Sequence, residues 1–129
     1  MFALTHDVRV MREDRGFLCA NEMQLGLPIP RPELALFRHK IPANAFFETV
    51  QLSKRWTGRD ALHAGIVQEL SSFDEMTDVV QRKAEELAPL ANNRKNYGHQ
   101  KEMLFGERAA INQIDGPAHM LKHSEDFNA

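Results

Sequence analysis

NEMQLGLPIP, residues 21–30, is the stretch around which the whole chain is organised. It places a single carboxylate, Glu22, after an apolar run from Phe17 to Ala20 and before a stretch rich in leucine, isoleucine and proline. Apolar neighbours displace water, and desolvation of a carboxylate raises its pKa and makes it a stronger base near neutral pH. The same residue also fits an ordinary polar side chain at the exposed end of a strand. Glu22 is therefore a candidate catalytic base that needs a second signal.

The second signal is TGRDALHAGIV, residues 57–67. Together with Glu22, the Gly26 that follows it after three residues, and Pro28, this segment resembles the enoyl-CoA hydratase/isomerase (crotonase) family. In that family an acidic residue spaced in this way from a glycine lines the active site, and a G-x-x-A-L-x-x-G-(I/L)-V segment returns the chain to the core. The sequence of residues 21–26 is most similar to that of the enoyl-CoA delta isomerases.

The resemblance implies an enzyme of fatty acid beta-oxidation that shifts a double bond in an unsaturated acyl-CoA. In the isomerases of the family one glutamate moves a proton from the alpha carbon to the gamma carbon, and Glu22 matches its position. Leu25, Gly26, Leu27 and Pro28 are expected to contact the acyl-CoA. No cofactor is expected, because coenzyme A is part of the substrate, and no metal is expected either.

Two other functions stay open. A hydratase needs a second acidic residue to activate water, and in the family that residue precedes the helix that this chain enters at Met1. The two segments that supply the oxyanion N–H groups also precede residue 1, so the resemblance covers residues 1 to about 110, the C-terminal half of a family member. We therefore expect an N-terminally truncated member that needs another chain for its electrophilic site. The further alternative is a non-catalytic helical module that assembles with itself or with full-length relatives.

The composition of the chain excludes several classes of protein. With 129 residues, 43% hydrophobic and 26% charged, it fits one soluble globular domain, and a net charge of -2 gives no reason to expect nucleic acid. No apolar run is long enough to span a bilayer. The lone Cys19 excludes an internal disulfide and suits a reducing compartment, and the six histidines lack metal-ligand spacing. For a eukaryotic protein, peroxisome and mitochondrion both stay open as compartments, although neither a basic leader nor a C-terminal Ser-Lys-Leu is present.

The expected fold is α/β and crotonase-like, mostly helical, and without the N-terminal part of the family's sheet. Residues 1–115 form the domain and residues 116–129 a polar tail. Short strands are predicted near Val8 to Met11, Phe17 to Ala20 and Ile66 to Gln68. The charged residues between the first two of these strands, together with Arg9, are expected to be solvated.

Helices are predicted from apolar periodicity and capping residues. Two lie on either side of Pro42, and their aromatic residues fit core positions better than acyl-chain contacts. Thr57 with Asp60 and Ser72 with Glu75 are typical caps. The predicted inward positions are Leu34, Phe37, Ile41, Ala43, Phe46, Phe47, Val50, Trp56, Met76, Val79, Val80, Ala84 and Leu87, then Tyr97, Leu104, Phe105 and Ala109 on a last helix over 93–112. These helices carry more apolar surface than a reduced core can bury, which predicts a homo-oligomer, a trimer or hexamer.

Overall fold

Two short parallel strands, β1 (Val10–Arg12) and β2 (Glu69–Ser71), form the sheet of the part described by the computed structural model, residues 2–105. The strands pair in register, with Val10 opposite Glu69 and Arg12 opposite Ser71. Parallel neighbours need a long crossover connection. Here the crossover contains the turn with Glu22 and the first three helices, so the sheet closes a loop that holds the candidate site.

The helices described in residues 2–105 are mostly short. The α-helices are α1 (Arg31–Lys40), α2 (Ala43–Val50), α3 (Gly58–His63), α4 (Met76–Leu87) and α5 (Arg94–Phe105), and the 3₁₀ helices are Phe2–Thr5, Glu22–Leu25 and Ala88–Ala91. None of the helices in this part of the chain is long and apolar enough to cross a bilayer. Helix α1 begins directly after Pro30 and has Pro32 in its first turn, where a missing N–H removes no helical hydrogen bond.

The core lies between the first three helices and the turns that follow them. Its buried apolar residues are Leu4, Ala20, Phe37, Ile41, Ala45, Val50, Trp56, Ala61, Ile66 and Val67. The inward positions predicted for α1 are confirmed, since Phe37 and Ile41 are buried and Leu34 packs against them. In α2 the prediction is confirmed for Val50, which is buried, and for Phe46, which packs against the core. It is wrong for Phe47, which is 60% exposed, and it missed the buried Ala45 and Thr49.

The predicted strand over Phe17 to Ala20 is wrong. Only Leu18 pairs, in an isolated antiparallel bridge with Trp56, through N···O distances of 3.0 and 2.9 Å. The chain turns into a 3₁₀ helix at Glu22 before a ladder can extend. The segment is therefore held at one residue and not along a strand.

The predicted strand over Ile66 to Gln68 is displaced toward the C-terminus. The N–H groups of Ile66 and Val67 donate to the carbonyl of Ala61 at 2.8 and 3.3 Å, which closes the turn after α3. Both side chains are buried, as a strand there would also require. The apolar run thus marks the core side of a turn, and β2 begins after it at Glu69.

Arg9, expected in solvent, is buried. Its guanidinium donates to the carbonyl oxygens of Ile66 at 2.7 Å, His6 at 2.8 Å and Lys40 at 3.3 Å. Burial lowers the pKa of Arg9, and the nearby carboxylate of Asp7 opposes that change. The expectation of a solvated side chain is wrong because two of the acceptors, from Lys40 and Ile66, lie 31 and 57 residues away in sequence.

The predicted Thr57 cap is confirmed, whereas Ser72 bonds to Glu75 but does not cap α4, whose N-cap residue is Glu75 without a side-chain cap. The inward faces predicted for the last helices are wrong. The Thr57 hydroxyl accepts from the N–H of Asp60 at 3.3 Å, and the Ser72 hydroxyl accepts from the N–H of Glu75 at 3.3 Å. Helix α4 has no buried residue. In α5, Leu104 is 69% exposed. The remainder of the predicted last helix, with Ala109, and the predicted tail lie outside the described residues.

Gly58 and Gly98 allow a matched test of the contact between α3 and β1. A Cβ at residue 58 would overlap the carbonyl oxygen of Arg12, whereas one at residue 98 would meet nothing within 4 Å. We expect Gly58→Ala to lower the free energy of unfolding by about 1–3 kcal/mol, as overpacking does. Gly98→Ala should raise it by up to about 1 kcal/mol, because alanine favours helix. Urea unfolding of the two variants measures both; equal effects would contradict the close approach of α3 to β1.

Candidate functional site

Glu22 begins the 3₁₀ helix Glu22–Leu25, and Gly26 ends it. Gly26 has φ +71°, a left-handed conformation that glycine adopts without the steric penalty of a Cβ. Its N–H donates to the carbonyl of Met23 at 3.3 Å, and the N–H of Leu27 donates to the carbonyl of Glu22 at 2.9 Å. The glycine of the motif thus closes the turn that carries the carboxylate.

The carboxylate of Glu22 is half-buried. Its Oε2 atom is buried and accepts no hydrogen bond within residues 2–105. Arg31, the cation nearest in sequence after Glu22, forms no ion pair with it. A buried polar atom without a partner is uncommon and costs free energy, so such an atom calls for an explanation. As a chemical group, this oxygen is a hydrogen-bond acceptor, and a proton acceptor when ionised, that the fold leaves unused.

The residues that follow Glu22 lie at the surface. Leu25 is 62% exposed and Leu27 54% exposed, and Gly26 and Pro28 are exposed as well. They form an apolar rim on the surface beside the turn. The expected contact of these four residues with an acyl-CoA stays a prediction.

The segment before Glu22 is anchored by contacts that the sequence did not predict. Besides the bridge between Leu18 and Trp56, the thiol of Cys19 donates to the carbonyl of Ser53 at 3.4 Å, and Ala20 is 2% exposed. Ser53 has φ +50° and a buried hydroxyl that finds no hydrogen-bond partner in the described part of the chain. A polar residue with positive φ in a Gln-Leu-Ser-Lys stretch carries no sequence signal of this role.

A cavity of about 480 Å³ lies away from this turn. Its walls are formed by Asp7, Leu90, Tyr97, Gln100, Lys101 and Leu104, none of which belongs to the motif around Glu22. Asp7 accepts a hydrogen bond from Lys40 at 2.9 Å and another from Lys101. These ion pairs connect the start of the chain with the end of α1 and with α5.

Residues 2–105 contain no group of three or more histidine, cysteine, aspartate or glutamate side chains that could hold a metal ion.

The chain is similar to enoyl-CoA delta isomerases of Arabidopsis thaliana. It is 33% identical over 110 residues to enoyl-CoA delta isomerase 3, an alignment that covers 83% of this chain and 46% of that protein. It is 34% identical over 114 residues to the peroxisomal enoyl-CoA delta isomerase 2, covering 86% and 48%. The chain belongs to the crotonase family. It spans about half the length of the curated relatives it matches, and no protein-family model matches it.

Solved structures support the crotonase fold. An enoyl-CoA isomerase of Mycobacterium tuberculosis matches with a TM-score of 0.73 at 22% identity, covering 83% of this chain and 46% of that one. Human mitochondrial delta3-delta2-enoyl-CoA isomerase matches with a TM-score of 0.73 at 18% identity, covering 95% and 44%. The predicted fold class, a mostly helical part of a crotonase domain with a small sheet, is confirmed.

The ion pairs of Asp7 predict a pH dependence. Burial raises its pKa, but hydrogen bonds from Lys101 and Lys40 outweigh burial, so the pKa lies below the ordinary 3.8. A carboxylate with a lowered folded pKa contributes stability above its unfolded pKa and loses it as pH falls through the folded pKa. Asp7→Asn should therefore destabilise the chain at about pH 6 and much less at about pH 2.

Urea unfolding of wild type and Asp7→Asn at both pH values measures this difference. Glu102→Gln, which removes an exposed carboxylate from α5, is the control and should show no such pH dependence. A destabilisation by Asp7→Asn that is the same at both pH values would contradict the ion-pair explanation.

Proposed function

We propose that the chain provides the general base of an enoyl-CoA isomerase reaction, and that Glu22 is this base. The observation that carries the proposal is the buried Oε2 of Glu22, which has no hydrogen-bond partner among residues 2–105 and lies on a turn closed by Gly26. Relatives named enoyl-CoA delta isomerases support the same reaction. The substrate is an unsaturated acyl-CoA whose double bond moves into conjugation with the thioester.

The chemistry needs one carboxylate used twice. Ionised Glu22 takes a proton from the alpha carbon, and the electron pair of the broken C–H bond delocalises into the thioester as an enolate. The protonated carboxyl then delivers the same proton to the gamma carbon, so the product is an isomer of the substrate. A single base within reach of both carbons is sufficient for this transfer, whereas hydration requires activated water as well.

The buried position of Oε2 suits this role. A carboxylate oxygen that already accepts a hydrogen bond must give up that bond before it can take a proton. The Oε2 atom of Glu22 accepts no such bond from residues 2–105. The enolate oxygen needs hydrogen-bond donors of its own, which contribute about 3–4 kcal/mol each in oxyanion holes. We assign these donors to segments outside the described residues.

Leu25, Gly26, Leu27 and Pro28 are proposed to contact the acyl-CoA. They lie next to the carboxylate and expose apolar surface. An acyl chain laid over Leu25 and Leu27 would remove that surface from water, at about 25 cal/mol per Å² buried. We also propose a place in fatty acid breakdown, for which the peroxisomal relatives are the support.

Glu22→Gln tests the proposal. It keeps the shape of the side chain and removes the base, so turnover should fall at least about 100-fold while acyl-CoA binding changes little. A continuous spectroscopic assay with a 3-enoyl-CoA measures turnover, and titration of the protein with the same acyl-CoA measures binding. Glu13→Gln, at an exposed position, is the control. Turnover that equals the uncatalysed rate in the wild type, or that survives Glu22→Gln, would refute the assignment.

The assembly is proposed to be a homo-oligomer, a trimer or hexamer. The support is the set of large apolar side chains that remain exposed on several elements, among them Phe47, Leu52, Phe73, Leu90, Met103 and Leu104. Association of chains would remove such side chains from water. Light scattering should give a mass of three chains or a multiple of three. A stable monomer at micromolar concentration would contradict this.

A further inference from the structure

Trp56 connects helix α2 with the segment that leads to Glu22. Its indole Nε1–H donates to the hydroxyl of Thr49 at 3.0 Å, and that hydroxyl donates in turn to the carbonyl of Ala45 at 2.8 Å. All three residues are buried, with Thr49 at 0% exposure. A buried indole N–H needs an acceptor, and in this chain of hydrogen bonds the Thr49 hydroxyl both accepts and donates.

The backbone of Trp56 is hydrogen-bonded to the segment before Glu22. Both its N–H and its carbonyl bond to Leu18, at 2.9 and 3.0 Å. From Leu18 to Glu22 the chain has little freedom, because Cys19 contacts the carbonyl of Ser53 and Ala20 is 2% exposed. A shift of the Trp56 side chain therefore reaches the turn that carries the carboxylate.

We propose that Thr49 is a positioning residue for Glu22, acting through the hydrogen bond that it accepts from Trp56. This inference rests on the proposed function of Glu22. The Thr49 hydroxyl fixes the distance between α2 and the Leu18 bridge, and the bridge fixes where the 3₁₀ helix with Glu22 begins. Thr49 touches no reacting atom in this account. Its effect is on the placement of the base relative to the alpha and gamma carbons of the substrate.

Thr49→Val and Thr49→Ser in the full chain test the inference. Valine keeps the branched shape and leaves the indole N–H without an acceptor, whereas serine keeps the hydroxyl. A misplacement of the base on the order of 1 Å lowers kcat by up to about 100-fold. We expect Thr49→Val to lower kcat about 10- to 100-fold with KM nearly unchanged, and Thr49→Ser to restore most of it. Thr77→Val, at an exposed position of α4, is the matched control.

A second measurement does not depend on activity. Trp56 is the single tryptophan of the chain, so its indole N–H gives one unambiguous NMR signal. The side-chain carboxyl signal of Glu22 is assigned in labelled protein by its loss in Glu22→Gln. In folded Thr49→Val both signals should shift, and in Thr77→Val neither should. A shift at Trp56 with an unchanged Glu22 signal overturns the inference, because Thr49 would then support only the core.

The outcomes separate the two proposals. Coupled shifts without isomerase turnover in the wild type refute the function and keep the positioning. Turnover lost in Glu22→Gln but unchanged in Thr49→Val refutes the positioning alone. If Thr49→Val fails to fold, Trp56→Phe removes the other partner of the same hydrogen bond and keeps an aromatic ring. It should lower kcat and shift the Glu22 signal in the same way, and a folded Trp56→Phe with wild-type kcat overturns the inference.

Discussion

The buried guanidinium of Arg9 holds together the segments that frame the sheet. A buried charge without partners is costly, and Arg9 meets this cost with three backbone carbonyls in place of a carboxylate. One of them, from Lys40, belongs to the last residue of α1, where the helix dipole is negative and favours a cation. Arg9 also exchanges hydrogen bonds with Gln68, through its own N–H and carbonyl, at 2.9 Å each. One residue thereby sets the start of β1, the end of α1 and the approach to β2.

Features that depend on neighbouring residues could be predicted from the sequence. The Thr57 cap, the start of α1 near Pro32 and the buried positions of Phe37 and Ile41 each follow from residues within one or two helical turns. The burial of Arg9 could not be predicted in this way, because two of its acceptors, Lys40 and Ile66, are 31 and 57 residues away in sequence. The inward faces predicted for α4 and α5 were wrong for a related reason. A stripe of apolar residues with a period of 3.6 shows that a helix has an apolar side, but it does not show that this chain covers that side.

In the candidate site, too, features set by nearby residues could be predicted from the sequence, and features set by distant contacts could not. The spacing of Glu22 and Gly26 indicated a carboxylate on a glycine-closed turn, and the structure has that turn. The exposure of Leu25 and Leu27 could not be predicted, because an apolar sequence does not show whether the rest of the chain covers a side chain. The hydrogen bond between Thr49 of α2 and Trp56, which follows that helix, could not be predicted either, because in the sequence both resemble ordinary core residues.

The pairing of β1 with β2 also constrains the order of folding. Two parallel strands cannot meet until everything between them, residues 13–68, has been brought into a closed loop, and loop closure of that length is an entropic barrier that local contacts do not lower. Contacts of such long sequence separation form slowly, whereas helices such as α1 and α2 form from local contacts. We therefore expect the helical part of this chain to form before the strands pair. Until the strands pair, their unbonded backbone groups stay accessible to other chains as well as to each other.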